Sequence, residues 1–469
     1  MQRTVTKLLF MLLAFYLSNT DTPALAASET GNKGTLDIKT IQVLDLDTAF
    51  KIALAESPTL GAAAQRVEQA RQLVNQARGA YWPNLVAKGS VNRVKQSENQ
   101  YQINLATARA FNPLATFNNP EDYYEAGLTA SWTLFDGFRR RFTNAAAKYG
   151  EAQSENALLD SRRLLLSAVA GSFYKAQLAN EGVAIAAADE AFNLNQVSDA
   201  NARLRVGTGS LSDVLNFEIQ ANAAKDDRIN ANREYIAAIT GLAALLGIPD
   251  ARFPEGLKLA PLEEESATVM QQPDAGQQID YAHQHRPDIL ATAKGVGRAE
   301  AGIGTAKSRY YPAVVLAGTL NGERAENSSF EGDDFGNTVG VFLTYDLFSG
   351  GTDRARVAEA KHKKMEESKN LDALKISVAN EVNVALTGLR AAQQQLELQR
   401  KNASLVQRNR DLVEKEYAAG QSSLVRLNEA QRNLTQAQSR LAFARLSLRF
   451  AWTTLYTATA KSLDLYSKF

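Results

Sequence analysis

The stretches ASWTLFDGF (Ala130–Phe138) and LTYDLFSGG (Leu343–Gly351) repeat one pattern at an offset of 213 residues, which joins Phe135 to Phe348. In each stretch a run of strand-like residues leads into phenylalanine, a polar residue and glycine. Neither stretch is followed by a proline until after the next glycine turn. The sequence therefore predicts a strand that passes through a glycine into a long helix, and it predicts this unit twice.

The strands of this unit are predicted from alternation with a period of two, which is typical of a sheet with two different faces. Upstream, YWPNL (Tyr81–Leu85) and YYPAV (Tyr310–Val314) begin partner strands. The hairpins extend over about residues 82–135 and 311–348, and the first has about 16 more residues in its loop. A pair of surface hairpins on a soluble protein is the simpler interpretation. Four strands cannot close a membrane barrel, which needs at least about 8, so a barrel would require several copies of the chain.

The segments after the glycines are predicted to be unusually long helices. Gly137 to Gly207 and Thr352 to Ala419 are free of proline and rich in helix-forming residues. About 65 to 70 helical residues span ~100 Å. Shorter helices are predicted beside them at about 58–80, 211–246, 287–310 and 424–461. A generic coiled coil would explain these helices alone, but not the hairpins between them.

The first long helix ends at VGTGSLSDVLN (Val206–Asn216). Gly207 suits the left-handed residue that ends a helix, and Ser210 suits the cap of the next helix. Ser210 and Asp213 form a capping-box pattern, in which the carboxylate also neutralises a helix N-terminus. Asp213 therefore has two compatible interpretations. The first is a structural residue that stabilises the helix N-terminus, and the second is a residue that faces a channel or a partner.

The second long helix ends at a related turn, AGQSSLVRLNE (Ala419–Glu429). Gly420 and Ser423 repeat the glycine and the cap, but Arg426 replaces the carboxylate. A cation in the first turn is unfavourable against the helix dipole by a few tenths of a kcal/mol, which Glu429 one turn later offsets in part. Because local helix chemistry does not favour Arg426, we expect a role in a pore or at a partner. One hypothesis is that Arg426 and Asp213 pair across neighbouring hairpins and latch the tip.

Composition and the N-terminus place the chain outside the cytoplasm. Residues 1–26 have the pattern of a signal peptide, with Arg3 and Lys7 before the apolar run LLFMLLAFYL (Leu8–Leu17) and ALA (Ala24–Ala26) at the cleavage site. There is no cysteine, and the formal net charge is +1. These values exclude disulfides and thiol chemistry, and they argue against a nucleic-acid partner.

The two repeats are predicted to cover residues 27–247 and 287–469, with tip turns at 207–211 and 420–424. Between them, residues 248–286 contain several prolines and polar residues and are expected to be a connector with little regular structure.

No enzymatic motif is present, and neither a catalytic residue nor a cofactor is predicted. His283 and His285 lie close together but lack further nearby ligands, so no metal site is predicted. Five aromatic residues near the strand ends fit an interfacial belt or simple packing. They are Tyr81, Trp82, Trp132, Tyr310 and Tyr311.

Taken in order, the duplicated strand entries, strand exits and glycine turns resemble those of the TolC-like outer membrane efflux proteins. The resemblance implies a mixed α and β fold: a homotrimer in which each chain gives four strands to a 12-stranded transmembrane β-barrel, continuous with a long periplasmic α-helical barrel. It implies a passive exit duct of a tripartite efflux pump or type I secretion system in the outer membrane. The connector would lie in an equatorial belt, and the glycine turns would form an entrance gate.

The implied partners are outer membrane lipid, a periplasmic adaptor protein and an inner-membrane ABC or proton-driven transporter. Family members often carry acidic residues on the second turn, and here Arg426 stands beside Glu429, so a purely acidic ring is not expected. The alternative function is a periplasmic coiled-coil adaptor or structural spacer. The sequence does not select a cargo, because the pump that supplies it does so.

Overall fold

The computed structural model describes residue 38, residues 41–262 and residues 270–465. The predicted signal peptide of residues 1–26 lies outside the described residues. The helices and strands of the first half are, in order, β1 (Val43–Leu44), α1 (Leu46–Glu56), α2 (Pro58–Gly79), β2 (Asn84–Val94), α3 (Glu98–Phe111), β3 (Glu121–Asp136), α4 (Arg139–Arg205) and α5 (Leu211–Leu245).

The remaining elements follow a similar order. They are β4 (Lys258–Leu259), α6 (Ala275–His285), α7 (Pro287–Lys307), β5 (Ala313–Ala325), β6 (Phe335–Thr344), α8 (Thr352–Ala418), α9 (Leu424–Thr459) and α10 (Lys461–Leu465). The order differs in that no α-helix lies between β5 and β6, all of whose connection is described, and that one short helix is added after α9. In each half a strand hairpin leads into a helix of 67 residues, which a glycine turn joins to a helix of 35 or 36 residues.

The two hairpins form one antiparallel sheet of four strands in the order β2-β3-β5-β6. The inner strands pair in register, with Leu128 opposite Leu320 and Thr129 opposite Thr319, and a bulge lies between Thr133 and Phe135. Among the described residues, the outer strands β2 and β6 each have only one neighbouring strand. The sheet therefore ends in two open edges.

Positive backbone φ angles turn each hairpin into its long helix. Gly137 has a φ of 66° and Phe138 a φ of 68°, and on the other side Gly350 and Gly351 have φ values of 64° and 82°. A Cβ on Gly137 would collide with the carbonyl oxygen of Ser308, so close packing as well as conformation requires glycine there. The sequence prediction that these glycines turn strand into helix is confirmed.

The long helices α4 and α8 agree with the proline-free spans, and 67 residues correspond to about 100 Å. Near the glycine turns the helices lie side by side in the order α5-α4-α9-α8. Towards the sheet the order becomes α2-α4-α7-α8. Shorter helices from either half are thus stacked beside each long helix. α8 is one outer member of the layer and α5 or α2 is the other, except at the tip itself, where side chains of α5 and α8 also meet.

The main apolar core surrounds the middle of α4. Leu166, Val169 and Phe173 of α4 pack with Phe50 of α1 and Leu242 of α5. A second core joins α8 to α9 and α6 through side chains that include Val378, Val382, Leu389, Leu448 and Ala282. The two largest apolar cores therefore lie near the middle of the long helices, and the protein extends from there as thin layers towards the sheet and towards the glycine turns.

The expectation that the connector has little regular structure is wrong in part. The connector contains α6 over Ala275–His285, and β4 pairs in parallel with β1. Pro273 precedes an N-cap rather than a loop, because Asp274 accepts a 2.8 Å hydrogen bond from the backbone N–H of Gln277. The long loop of the first hairpin likewise contains α3, which Ser97 caps.

A buried cluster of charges lies where α6 meets α7. Arg286 is 2% exposed and donates to Glu381 of α8 at 2.6 Å, to Asp288 at 2.6 Å and to the Ala458 carbonyl of α9 at 3.0 Å. Arg163 of α4 donates to the neighbouring Thr457 carbonyl at 2.9 Å. The two arginines thereby cap the last turn of α9, where backbone carbonyls lack helical partners.

Competing effects set the ionisation of this cluster. Burial is the largest single effect and disfavours charge on Arg286 and Asp288. The hydrogen bonds and opposite charges of the cluster together outweigh it, so the pKa of the guanidinium is raised and that of the carboxyl is lowered. The pKa of Asp288 in the folded protein lies below its value of about 4 in the unfolded chain. Its contribution to the free energy of unfolding is therefore fully present above about pH 4. The contribution is lost as the pH falls through the folded pKa.

We expect Arg286→Ala to lower the free energy of unfolding by about 3 kcal/mol, because it leaves Asp288 and a helix end without their buried partner. Denaturant unfolding of the purified protein, followed by circular dichroism, measures the change. Arg233→Ala is the control, since the Arg233 side chain is 72% exposed and its loss should change the value by no more than about 0.5 kcal/mol. Equal losses in both variants would contradict this role for the cluster.

Candidate functional site at the helical tips

The turn between α4 and α5 has the hydrogen bonds of a Schellman motif. Gly207 has a φ of 77° and donates to the Leu204 carbonyl at 3.1 Å, while Thr208 donates to the Arg203 carbonyl at 2.9 Å. A Cβ at Gly209 would lie 2.9 Å from that of Arg203, so this second glycine lets the turn close tightly. The predicted left-handed role of Gly207 is confirmed.

The turn between α8 and α9 is built in the same way. Gly420 has a φ of 69° and donates to the Tyr417 carbonyl at 3.0 Å, and Gln421 donates to the Glu416 carbonyl at 2.8 Å. The backbone of the turn is therefore the same in both halves, although only the glycine, serine and leucine positions are shared in sequence.

Both predicted serine caps are present. The hydroxyl of Ser210 accepts from the Asp213 N–H at 3.1 Å, and that of Ser423 accepts from the Arg426 N–H at 3.4 Å. Each cap satisfies one free N–H at the start of a helix. The repeated serine thus has a structural purpose, and Asp213 and Arg426 occupy equivalent third positions of their helices.

An apolar core joins the two tips. Phe217 of α5 is almost fully buried, and its ring meets that of Tyr417 of α8 edge to face, with centroids 6.1 Å apart. Val214, Val413 and Leu427 complete the same core. The two glycine turns of one chain are therefore held side by side as a single unit.

Tyr417 lies between opposite charges in this core. Burial and, after it, the nearby Asp213 carboxylate raise the pKa of the Tyr417 phenol, while Arg203 opposes them. The Arg203 guanidinium carbon lies 5.1 Å from the centre of the tyrosine ring. The Tyr417 ring thus lies close to charged side chains of the other hairpin of its own chain.

Arg426 is paired within its own hairpin. Its guanidinium lies 3.7 Å from the Glu416 carboxylate, and the side chains are 62% and 40% exposed. Among the described residues no ion pair joins Arg426 to Asp213, so the hypothesised latch does not form between the two hairpins of one chain; between copies it stays a hypothesis. The physical reason is proximity, because Glu416 lies directly before the turn that leads to Arg426. Glu429 lies one turn further along α9, with its side chain also near the tip.

Polar side chains link the hairpins above the tip. Asn428 donates to the Asn216 side chain at 2.8 Å, and the Asp189 carboxylate accepts from Gln431 at 2.7 Å and from Thr435 at 3.0 Å. The sequence analysis missed Asp189, Phe217 and Tyr417. Tyr417 could have been identified, because it is an aromatic residue in the last helical turn before Gly420. No local sequence feature indicated the role of Asp189.

The five predicted aromatic residues surround the strand–helix junctions, and all are at least 43% exposed within the chain: Tyr81, Trp82, Trp132, Tyr310 and Tyr311. The Trp132 indole donates to the Tyr81 carbonyl at 2.9 Å, and the Arg140 guanidinium lies 5.0 Å from the Tyr81 ring centre. Trp132 thereby fixes the position of one junction.

The two neighbouring histidines contact backbone carbonyls. His283 lies 3.1 Å from the Lys375 carbonyl oxygen and His285 lies 3.0 Å from that of Tyr281. Across the described part of the chain, no group of three acidic or histidine side chains is arranged to hold a metal ion. No helix within that part combines the length and apolar character needed to cross a membrane.

Comparisons of the sequence with protein families and with known proteins agree on one group of outer membrane proteins. The profile of the outer membrane efflux protein family matches residues 49–248 and 279–461. Protein CyaE of Bordetella pertussis is 26% identical over 353 residues, covering 74% of this chain and 70% of that protein. The outer membrane protein TolC of Vibrio cholerae is 23% identical over 366 residues, covering 75% and 77%.

A solved structure has the same fold. A crystal structure of CusC, described in connection with folding and transmembrane channel formation, superposes with a TM-score of 0.72 and covers 89% of this chain and 93% of that one. The sequences are 20% identical.

We expect Phe217→Ala to loosen the paired tips, because deleting a buried phenyl ring costs about 3 to 5 kcal/mol and leaves Tyr417 without its partner. Hydrogen exchange measured by mass spectrometry should become faster in peptides from both tip turns. Glu218→Ala, at the adjacent exposed position, should leave exchange unchanged. Faster exchange in the first turn alone would show that the tips do not depend on each other.

Proposed function

This chain belongs to the outer membrane efflux protein family, and we propose that it forms the passive exit duct of a tripartite efflux pump or type I secretion system. Three copies would place the sheet in the outer membrane and the helices in the periplasm. In this proposal residues 1–26 are a cleaved signal, residues 27–247 and 287–469 are two repeats of one unit, and residues 248–286 form the equatorial connector.

The observation that carries the proposal is that both the sheet and the helical layer of the described part of one chain end in outer elements that lack a neighbour on one side. The outer strands β2 and β6 expose their backbone edges and many apolar side chains. An unpaired edge is satisfied by another strand, and full closure removes edges altogether. If β6 of one copy pairs with β2 of the next, three copies give 12 strands, enough for an open barrel.

The helical layer supports the same closure. On α8, exposed apolar residues recur every seven positions on the face opposite its buried one: Val384, Ala391, Leu398, Leu405 and Leu412. On α5, the other outer helix near the tips, a corresponding exposed set is Leu211, Leu215, Ile219, Ile229 and Ile236. A seven-residue apolar repeat is the seam of a coiled coil. We infer that α8 of one copy packs on α5 of the next.

The paired tips would form the entrance. The tip residues assigned to the gate and to contact with a periplasmic adaptor protein are Gly207, Ser210, Asp213, Gly420, Ser423, Arg426 and Glu429. Three copies would bring three arginines and three glutamates of the second turn into one ring. Arg426 is largely exposed despite its pairing with Glu416, so its charge is available to passing ions.

The remaining partners follow from the role. A passive duct needs an inner-membrane ABC or proton-driven transporter to supply energy and cargo. Outer membrane lipid would meet the sheet and the aromatic belt of Tyr81, Trp82, Trp132, Tyr310 and Tyr311, whose amphipathic rings suit the membrane interface. Fractionation tests the location directly: recovery of the chain in the soluble periplasm would favour the spacer function instead.

We expect the double variant Leu398→Glu/Leu405→Glu to remain monomeric, because it places charges in the apolar seam between copies. Light scattering in detergent and migration on gels without heating measure the oligomer. Ser404→Glu adds a charge at an exposed position beside the seam and should leave the trimer intact. A trimer that forms normally with both glutamates would exclude this packing.

We expect Arg426→Asp to shift the ion preference of the reconstituted channel towards cations, because it removes three positive charges and adds three negative ones at the entrance. The reversal potential in a salt gradient across a planar bilayer measures the preference. Arg426→Lys retains the charge and should match the unchanged protein. An identical reversal potential in the Asp variant would remove Arg426 from the ion path.

A further inference from the structure

The helix α3 stands alone beyond the end of the sheet. It lies in the loop from β2 to β3, at the end of the hairpin that is farthest from the long helices. It has no extensive packing with any other described helix or strand. Its contacts are with its own loop: Leu105 is buried, and the Tyr101 hydroxyl donates to the Phe117 carbonyl at 3.2 Å.

Large apolar side chains of this loop face outward. Ile103 is 59% exposed, Phe111 at the end of α3 is 89% exposed, and Leu114 just after it is 87% exposed. Single exposed apolar residues are ordinary, but three on one small unit mark a contact surface. A helix of 14 residues is also marginal in water without tertiary packing. Both facts indicate that something covers α3.

The loop is held in a fixed position. Gln96 donates its backbone N–H to the Asn119 side chain at 2.9 Å, and Asn119 donates back to the Gln96 carbonyl at 3.2 Å, which closes the base of the loop. Asn118 donates to Glu326 in the loop of the second hairpin at 2.7 Å. The apolar surface is therefore presented at a set place beside the rim of the sheet.

The charges of α3 do not suit a membrane surface. Helices that lie on lipid carry Lys and Arg on the polar face. On α3 the polar positions are mainly Asn and Gln, and its charged residues are Glu98 and Arg109, of which Arg109 donates to the Ala115 carbonyl at 3.3 Å. The helix therefore lacks the basic face that would bind anionic headgroups.

The position of α3 favours a second copy of this chain. Only three residues separate it from β2, the outer strand whose open edge would pair with a neighbouring copy. A 12-stranded barrel is about 24 Å across, from strands ~4.8 Å apart with a tilt of ~40°. α3 is about 21 Å long, so a helix that starts at the rim and points inward is long enough to reach the axis.

We propose that the α3 helices of three copies pack on one another across the outer mouth of the barrel, through Ile103, Phe111 and Leu114. This inference rests on the proposed trimer. The contact forms a second constriction at the exit, at the opposite end of the duct from the glycine turns. It also gives a purpose to the residues that the first hairpin has and the second lacks.

Single cysteines test this contact, because the chain has none of its own. Phe111→Cys is compared with Gln102→Cys, which lies on the opposite side of the same helix by its spacing of nine residues. Each purified variant is treated with a mild oxidant and separated on a denaturing gel. We expect a disulfide-linked dimer from Phe111→Cys at least ten-fold more abundant than from Gln102→Cys.

Migration without heating establishes separately whether the trimer has formed. A normal trimer in which Phe111→Cys gives no more dimer than Gln102→Cys overturns the α3 contact and leaves the duct intact. A nitroxide label at position 111 that is broadened by a lipid-soluble relaxation agent in the same trimer assigns the surface to lipid and also overturns it. Absence of any trimer overturns both the contact and the proposed function.

Discussion

Unfilled edges are the constraint on which this structure depends. The sheet ends at β2 and β6, and the helical layer ends at α5 or α2 on one side and at α8 on the other. A backbone edge or an apolar face that is left in water is unfavourable, and no further element of the described chain is available to cover it. The fold of one chain is thus an open layer of strands and helices rather than a closed globular domain.

Two clusters of side chains hold the helices of this thin layer together. Near the middle, Arg286 and Arg163 cap the end of α9 while joining α4, α7 and α8 through charge. Near the tip, Phe217 and Tyr417 join the two hairpins through a small apolar core. Between these points the hairpins are linked by amides and by Asp189, so the contact there is polar.

Periodic features of the fold could be predicted from the sequence, and contacts distant in sequence could not. The 67-residue helices, the strand–helix glycines and the serine caps follow from local rules that repeat in both halves. The helices α3 and α6 were missed because short caps, at Ser97 and Asp274, begin them within polar segments. The pairing of Arg426 with Glu416 required the turn geometry, since helix spacing suggested only Glu429, and Asp213 was a hypothesis of pairing across hairpins.

The duplicated tip has a consequence for symmetry. In the proposed trimer the two turns of each chain would give six turns, and the shared Schellman backbone makes them alike in shape. Their side chains differ, because Asp213 follows one serine cap and Arg426 follows the other. A partner built with sixfold symmetry would fit all six turns by shape, yet it would meet negative and positive charges in alternation around the circle.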